Sequence, residues 1–413
     1  MSASPPSAWS SRDFRRLTAA RFLLSFAAQI QTLVMAWQVY RLTRDPLHLG
    51  LIGLVEAAPA LSLALFAGDL VDRRDPLKVY KNVIRGVLVS AAILLTVSLP
   101  ATKVPPHAQL FWIYAAAFVA GCARGFSQPS LYAIVPQMIP RESLAVSSAW
   151  ITSAFQTASV FGPAVGGVLF AWRGPATPYA VDAALLVGAL LCASAVAFRP
   201  APARSSGERG FDRVTSGLRH VLAHDVLLAA LALDMFAVLF GGVEAILPIF
   251  AGEILKVGAV GLGLLQAAPS AGALIGSALM IRRPADRGAG RTLLWVVTGF
   301  GLCMIAFALS RDMILSMALL ALAGGLDSVS MVIRSAIVQL ASPDRMRGRV
   351  ASVNAIFIGV SNELGAFESG VAAKFLGTVP SVVFGGALTL ATVAFAAAVS
   401  PRLRRLDLGS LKA

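Results

Sequence analysis

Gly53-Leu54-Val55-Glu56-Ala57-Ala58-Pro59 returns as Gly263-Leu264-Leu265-Gln266-Ala267-Ala268-Pro269, 210 positions later. Each copy sits in a long apolar stretch that runs into arginines: Asp72, Arg73 and Arg74 after the first, Arg282, Arg283 and Arg287 after the second. The one large change is Glu56 to Gln266, which keeps the shape and drops the charge. An apolar segment repeated in both halves implies a polytopic membrane protein of two like halves, an organisation typical of transporters.

Composition agrees. The chain has 413 residues, 57% of them hydrophobic and only 14% charged, against about 25% charged in soluble domains. There is too little polar surface to coat a water-soluble body of this length. The net charge of +14 does not point to nucleic acid, because the arginines form no stripe with interleaved aromatics. Cys122, Cys192 and Cys303 lie inside apolar runs, without metal spacing or a redox motif, and read as packing residues. Arg12, Arg15 and Arg16 lead into a full-length apolar run, so no cleavable signal is expected.

A bilayer span needs roughly 20 apolar residues. That ruler predicts an all-α membrane protein with twelve spans: 17–40, 47–68, 79–99, 110–135, 145–171, 178–198, 226–250, 260–281, 292–310, 313–340, 350–376 and 380–399. With the N-terminus placed in the cytoplasm, the cytoplasmic side carries 26 of the 35 Lys and Arg and the opposite side seven; Arg124 and Arg334 fall inside spans. By the positive-inside rule both termini are then cytoplasmic. Trp37, Trp112, Trp172 and Trp295 fall near span ends, as interfacial anchors should. The expected organisation is a six-span half over 1–199, a central cytoplasmic connection over 200–224 and a second six-span half over 225–413. Within that connection the stretch to Gly210 reads as linker. Phe211, Val214, Leu218, Val221 and Leu222 recur at helical spacing, which predicts a short amphipathic surface helix.

Twelve spans in two parallel halves with a central loop resemble the major facilitator superfamily. Gly68-Asp69-Leu70-Val71-Asp72-Arg73-Arg74 looks like that superfamily's first cytoplasmic-loop signature, although Asp75 and Pro76 stand where the usual signature has Gly and a basic residue. Gly162-Pro163-Ala164-Val165-Gly166-Gly167 matches the Gly-Pro-x-x-Gly-Gly motif of its antiporter branch. Phe14-Arg15-Arg16, Trp37-Gln38-Val39-Tyr40 and Glu56-Ala57-Ala58-Pro59 look most like the siderophore exporter group. The resemblance implies spans 1, 4, 7 and 10 lining a central cavity, antiport, and export across a bacterial inner membrane. Physically, Asp72 and Arg73 at a helix end can pair with neighbours and latch helix bundles in one state. Gly162, Gly166 and Gly167 permit close helix approach, and Pro163 permits a kink.

A charge at mid-span costs about 2.5–3.5 kcal/mol on insertion scales and needs a partner or a wet cavity. The candidates for carrying a proton are Glu56, Asp234 and Asp327. Those for lining a substrate cavity are Gln31, Gln38, Arg124, Gln128, Glu244 and Arg334. Asp327 and Arg334 share a face but stand about 10 Å apart along the helix, so each should face another helix or water. Asp234 and Glu244 point roughly 80° apart and should serve different contacts. Arg124 does not sit where the drug-antiporter arginine of span 4 normally does, so that role is not carried over. Asp182 and Glu368 read as hydrated residues near an interface.

No phosphate-binding Gly-x-x-x-x-Gly-Lys-Ser/Thr loop, zinc-protease motif or nucleophile elbow occurs. His48, His107, His220 and His224 are scattered over connections and span ends. The expectation is a monomeric, proton-coupled exporter of siderophore or drug-like small molecules, with no catalytic activity, cofactor, metal or nucleic-acid partner. A transporter of another metabolite, an importer or a carrier of lipid-like molecules stays open. An intramembrane enzyme would need a clustered nucleophile and base that the sequence does not offer.

Overall fold

The computed structural model describes residue 9 and residues 11–199, 210–282 and 288–411. Among these there is no strand. The helices are α1 (Arg12–Thr43), α2 (Pro46–Arg73), α3 (Pro76–Ser98), α4 (Pro106–Arg124), α5 (Ser127–Met138), α6 (Leu144–Arg173), α7 (Ala176–Ser194), α8 (Gly210–Leu222), α9 (Asp225–Gly241), α10 (Leu247–Ile249), α11 (Gly258–Arg282), α12 (Ala289–Leu309), α13 (Met313–Ala341), α14 (Asp344–Leu376) and α15 (Thr378–Val399). Among the described residues twelve segments are long and apolar enough to cross a bilayer, and they fall on the twelve expected spans. Arg283, Arg287 and 200–209 lie outside the described residues, as do the side chains of Asp72 and Phe211–Val214.

Two spans are broken. The fourth stops at Arg124, turns through Gly125 and Phe126, and restarts at Ser127. The seventh stops at Gly241 and continues through a 3-10 turn, Glu244–Ile246, into α10 and a π-helical turn, Phe250–Ile254. Irregular backbone at membrane depth is tolerated only where protein or a water-filled cavity covers it. Ser369 Oγ meets the second break by donating to the Gly242 carbonyl at 2.6 Å.

Local chemistry sets the helix ends. Asp75 accepts from the Leu77 and Lys78 amides at 2.9 and 3.3 Å, and Pro76 takes the first helical position. The departure from the loop signature at Asp75-Pro76 is therefore an N-cap followed by a pre-set φ. Asp312 caps α13 in the same way, accepting from the Leu315 amide at 2.8 Å.

The chain divides into two compact units, Met1–Thr43 with Val55–Gly210, and Arg44–Leu54 with Phe211–Ala413. In the first, α1 packs on α6 and α7, and α3 on α4 and α7. Leu17, Leu24, Tyr80, Ile84 and Leu186 form its interior. In the second, α13 packs on α11 and α12, and α9 on α14 and α15, around Leu227, Leu231, Leu293, Ile333 and Ile337. Lipid gives apolar side chains little reason to prefer each other, so close packing of small residues holds such bundles. The Gly162 and Gly166 faces of α6 lie on α1, where a Cβ at 162 would come within 2.6 Å of Gln29 Cβ. Helix α6 runs unbroken through Pro163. The amphipathic helix α8 docks on the start of α14 through Gly217, whose position for a Cβ is 2.6 Å from the Arg349 carbonyl oxygen. Trp172 and Trp295 are exposed, as interfacial anchors are, but Trp37 is only 7% exposed. It is packed inside against Tyr40, with ring centroids 5.2 Å apart, and does not anchor the interface.

Between α1 and α2, Asp45 accepts from Lys374 Nζ at 2.6 Å. Burial works against its ionisation, but the Lys374 bond and the Leu47 amide outweigh it and hold the carboxyl below its usual range. A depressed carboxyl contributes stability above its unfolded pKa and loses it as pH falls through the lower folded value. The contact should therefore be insensitive to pH from 5 to 8. Asp45→Asn should cost no more than about 1 kcal/mol, since both groups are partly exposed. Thermal melts of parent and variant at pH 4, 5 and 8 check this: a difference that vanishes already at pH 5 would refute it.

Candidate functional site

Each unit holds an arginine–carboxylate pair within its spans, and the two arginines are related by the repeat. Arg124 and Arg334 are 210 positions apart, the offset that relates Glu56 to Gln266. Arg124 pairs with Glu56 of α2, and its Nη2 also points at the Ala28 carbonyl, 3.5 Å away. Gln266 cannot neutralise Arg334, and that arginine takes Asp234 from α9 instead. Its Nε donates to Ser330 Oγ at 3.3 Å. The second pair is nearly sealed, with side chains 4% and 7% exposed; the first is more open, at 28% for Arg124 and 16% for Glu56.

Each helix break adjoins a polar cavity. In the second unit, a cavity of about 150 Å3 is lined by Gly241, Gly242, Glu244, Pro269, Asp327 and Asn362. The break turns Glu244 out of the line of α9, while Asp234, ten residues earlier, stays on the arginine. These two acids serve different contacts, and Asp327 lines the cavity without an ion pair to Arg334, which still acts on it electrostatically. Two carboxylates, Glu244 and Asp327, line this small space. In the first unit, a cavity of about 230 Å3 is lined by Arg21, Ser25, Gln29, Arg124, Ser127, Gln128 and Phe155.

The other expected residues lie elsewhere. Gln31 is fully buried and donates to Ser90 Oγ at 2.7 Å. Gln38 donates to Ser98 Oγ at 3.1 Å and accepts from the Tyr179 hydroxyl at 2.9 Å. Both tie α1 to α3, with α7 joining at Gln38, and neither lines the two polar cavities. Gly68 and Arg73 are exposed in the last turns of α2.

Two residues escaped the sequence reading. Asp182 is not at an interface: it is fully buried, and neither carboxylate oxygen has a hydrogen-bond partner. Arg21 is 8% exposed inside α1, where the sequence placed it among the basic residues of the cytoplasmic end. Because α1 begins at Arg12, Arg21 lies more than two turns in. A signal existed: Thr18, Arg21, Ser25, Gln29 and Thr32 recur every three or four residues, a polar stripe along an apolar helix.

Comparison with known proteins fits this architecture. Residues 3–412 match the model of a family described as transmembrane secretion effector. The enterobactin exporter of Shigella boydii serotype 18 is 25% identical over 388 residues, 92% of each chain. Among solved structures, a transporter of the POT family bound to a thioalcohol-conjugated peptide superposes with a TM-score of 0.74 at 12% identity, covering 95% of this chain and 96% of that one. A bacterial homologue of the human lysosomal transporter Spinster, inward-facing and unoccupied, gives 0.71 at 13% identity, covering 99% and 98%. At such identities the likeness speaks for the fold. The family match over almost the whole length, on twelve spans with a repeat-related arginine in each unit, makes this chain a member of the transmembrane secretion effector family, a membrane transporter of the major facilitator type.

Proposed function

We propose that the protein is a proton-coupled exporter of small organic molecules, siderophore or drug-like, working by alternating access in a bacterial inner membrane with both termini in the cytoplasm. The observation that carries coupling is the cavity at the break of the seventh span, where Glu244 and Asp327 share one space. A proton taken there relieves the repulsion of two carboxylates, and its loss to the other side restores it. Glu56 and Asp234 belong to the same cycle: each holds an arginine, which protonation would release. Arg124 and Gln128 line the cavity of the first unit, which is the substrate candidate. Asp72 and Arg73, in the last turn of α2, are the proposed conformational latch. Outward transport is supported by the likeness to enterobactin exporters, and orientation by the split of basic residues.

Proteoliposomes with an imposed pH gradient, tested against catecholate siderophores and cationic dyes, check this reading. The parent should concentrate a substrate, and Asp327→Asn should abolish uphill transport while keeping substrate exchange without a gradient. An Asp327→Asn variant that builds the parent's gradient would remove Asp327 from coupling. A parent indifferent to the pH gradient would remove the proton.

A further inference from the structure

Arg21 is a cation buried in a membrane protein without a carboxylate. No Asp or Glu among the described residues pairs with it. Its Nη1 reaches Ser127 Oγ at 3.3 Å, its guanidinium lies 5.3 Å from the centre of the Phe155 ring, and its Nε has no partner. The buried polar atoms around it are also unfilled. Thr18 Oγ1 and Ser25 Oγ, on the same face of α1, have no hydrogen-bond partner, and the Tyr80 hydroxyl of α3 lies beside the Arg21 guanidinium. Ser25 is 5% exposed and lines the 230 Å3 cavity with Arg21. Arg124 lines it too, but Glu56 already neutralises that charge. The cavity thus carries the unpaired Arg21 cation, the unused Ser25 hydroxyl and one aromatic wall. The first turn of α5, starting at Ser127, adds amides whose dipole favours an anion.

An unpaired cation costs several kcal/mol in low dielectric. Among the described residues no carboxylate pairs with Arg21, which leaves the place of its counter-ion open to a bound anion. We propose that this cavity binds an aromatic organic anion, its carboxylate or ionised phenol on Arg21 and Ser127 and its ring against Phe155. That deepens the transport reading by giving the substrate a class, and it rests on that reading only in calling the anion a substrate. The cavity holds several waters, each taking ~30 Å3 of liquid, so it accommodates the charged ring of a larger molecule, not its whole body.

The test is binding without a gradient, so it stands or falls separately from coupling. Benzoate and its neutral isostere benzamide are titrated calorimetrically into purified protein in phosphatidylcholine nanodiscs. Benzoate should bind and benzamide should not. Arg21→Gln should weaken benzoate about tenfold or more, the loss of a charge-assisted hydrogen bond, and Arg21→Lys should retain part of the affinity. Without benzoate, Arg21→Gln should melt no lower than the parent, because it removes an uncompensated charge. Gln128→Glu, at an exposed position on the cavity wall, supplies an internal anion and should abolish benzoate binding with Arg21 intact, which keeps the test valid if Arg21→Gln fails to fold. Equal binding of benzoate and benzamide, or parental affinity in both variants, would overturn the proposal. So would a tenfold loss of benzoate affinity in phosphatidylglycerol discs, which would assign the site to a lipid headgroup.

Discussion

Arg334→Met should lower stability by about 3–5 kcal/mol, the usual cost of removing one partner of a buried ion pair. The cost arises from what is left behind. Asp234 is 5% exposed on α9, and its one described cation is Arg334. With that cation gone, the carboxylate must be desolvated without compensation or take up a proton. The double variant Asp234→Leu with Arg334→Met should recover most of the loss, because apolar residues of similar volume replace buried pairs at little cost. Arg124→Met should be milder, since the Arg124–Glu56 pair is more exposed. Thermal melts of detergent-purified protein give the measure: the single Arg334 variant should fall on the order of 10 °C for a unit of this size. A single variant that melts with the parent, or a double variant no better than the single, would show that the pair is not the buried contact described. The same pair bears on the cycle. Arg334 keeps Ser330 when Asp234 is removed but loses its ion pair, so the rescue experiment also reports how tightly charge and conformation are joined in the second unit.

The fold was legible because its signals are long. A run of some 20 apolar residues has few alternatives, and arginine clusters and repeats add constraints that do not depend on neighbours. Asp75-Pro76 reads as a departure from a loop signature, yet its meaning is local, an N-cap with proline in the first turn. The site was legible only in part. Helical spacing separates Asp327 from Arg334, since that statement concerns one helix; Asp234 and Glu244 are set apart by the break of the seventh span, which spacing does not foresee. Partners come from other helices, and spacing is silent on them. Hence Gln31 and Gln38, polar residues on one face of α1, turn out to tie helices together through Ser90 and Ser98. Asp182, which read as hydrated, is sealed. Arg21 was hidden by convention: a basic residue a few positions into an apolar run looks like the run's edge. The breaks at Gly125 and Gly242 were invisible for a related reason. Glycine inside an apolar helix is as compatible with close packing as with a turn.

Gly121→Ala should be the most damaging single methyl in the first unit. A Cβ at 121 would run into the Glu56 carbonyl oxygen and come within 2.9 Å of Pro59 Cγ. Both are held by α2, so α4 and α2 would have to move apart. Overpacking a tight interior costs about 1–3 kcal/mol, and more where backbone is the obstacle. The damage should also be functional, because Arg124 follows Gly121 by one turn and its partner is Glu56 itself. Gly68→Ala, in the last turns of the same α2, meets nothing within 4 Å and should behave like the parent. The repeat supplies a second control. Gly324 of α13 meets Pro269, the counterpart of Pro59, and a Cβ there would lie 2.6 Å from the Pro269 carbonyl carbon. The repeated phrase thus presents its backbone to a glycine in both units, Glu56 to Gly121 and Pro269 to Gly324, and a side chain at either glycine would hold the helices apart. Detergent-solubilised yield and melting temperature for Gly68→Ala, Gly121→Ala and Gly324→Ala are the check. The last two should fall together while the first does not, and a Gly121→Ala protein that melts with the parent would mean that α2 and α4 are not held at this seam.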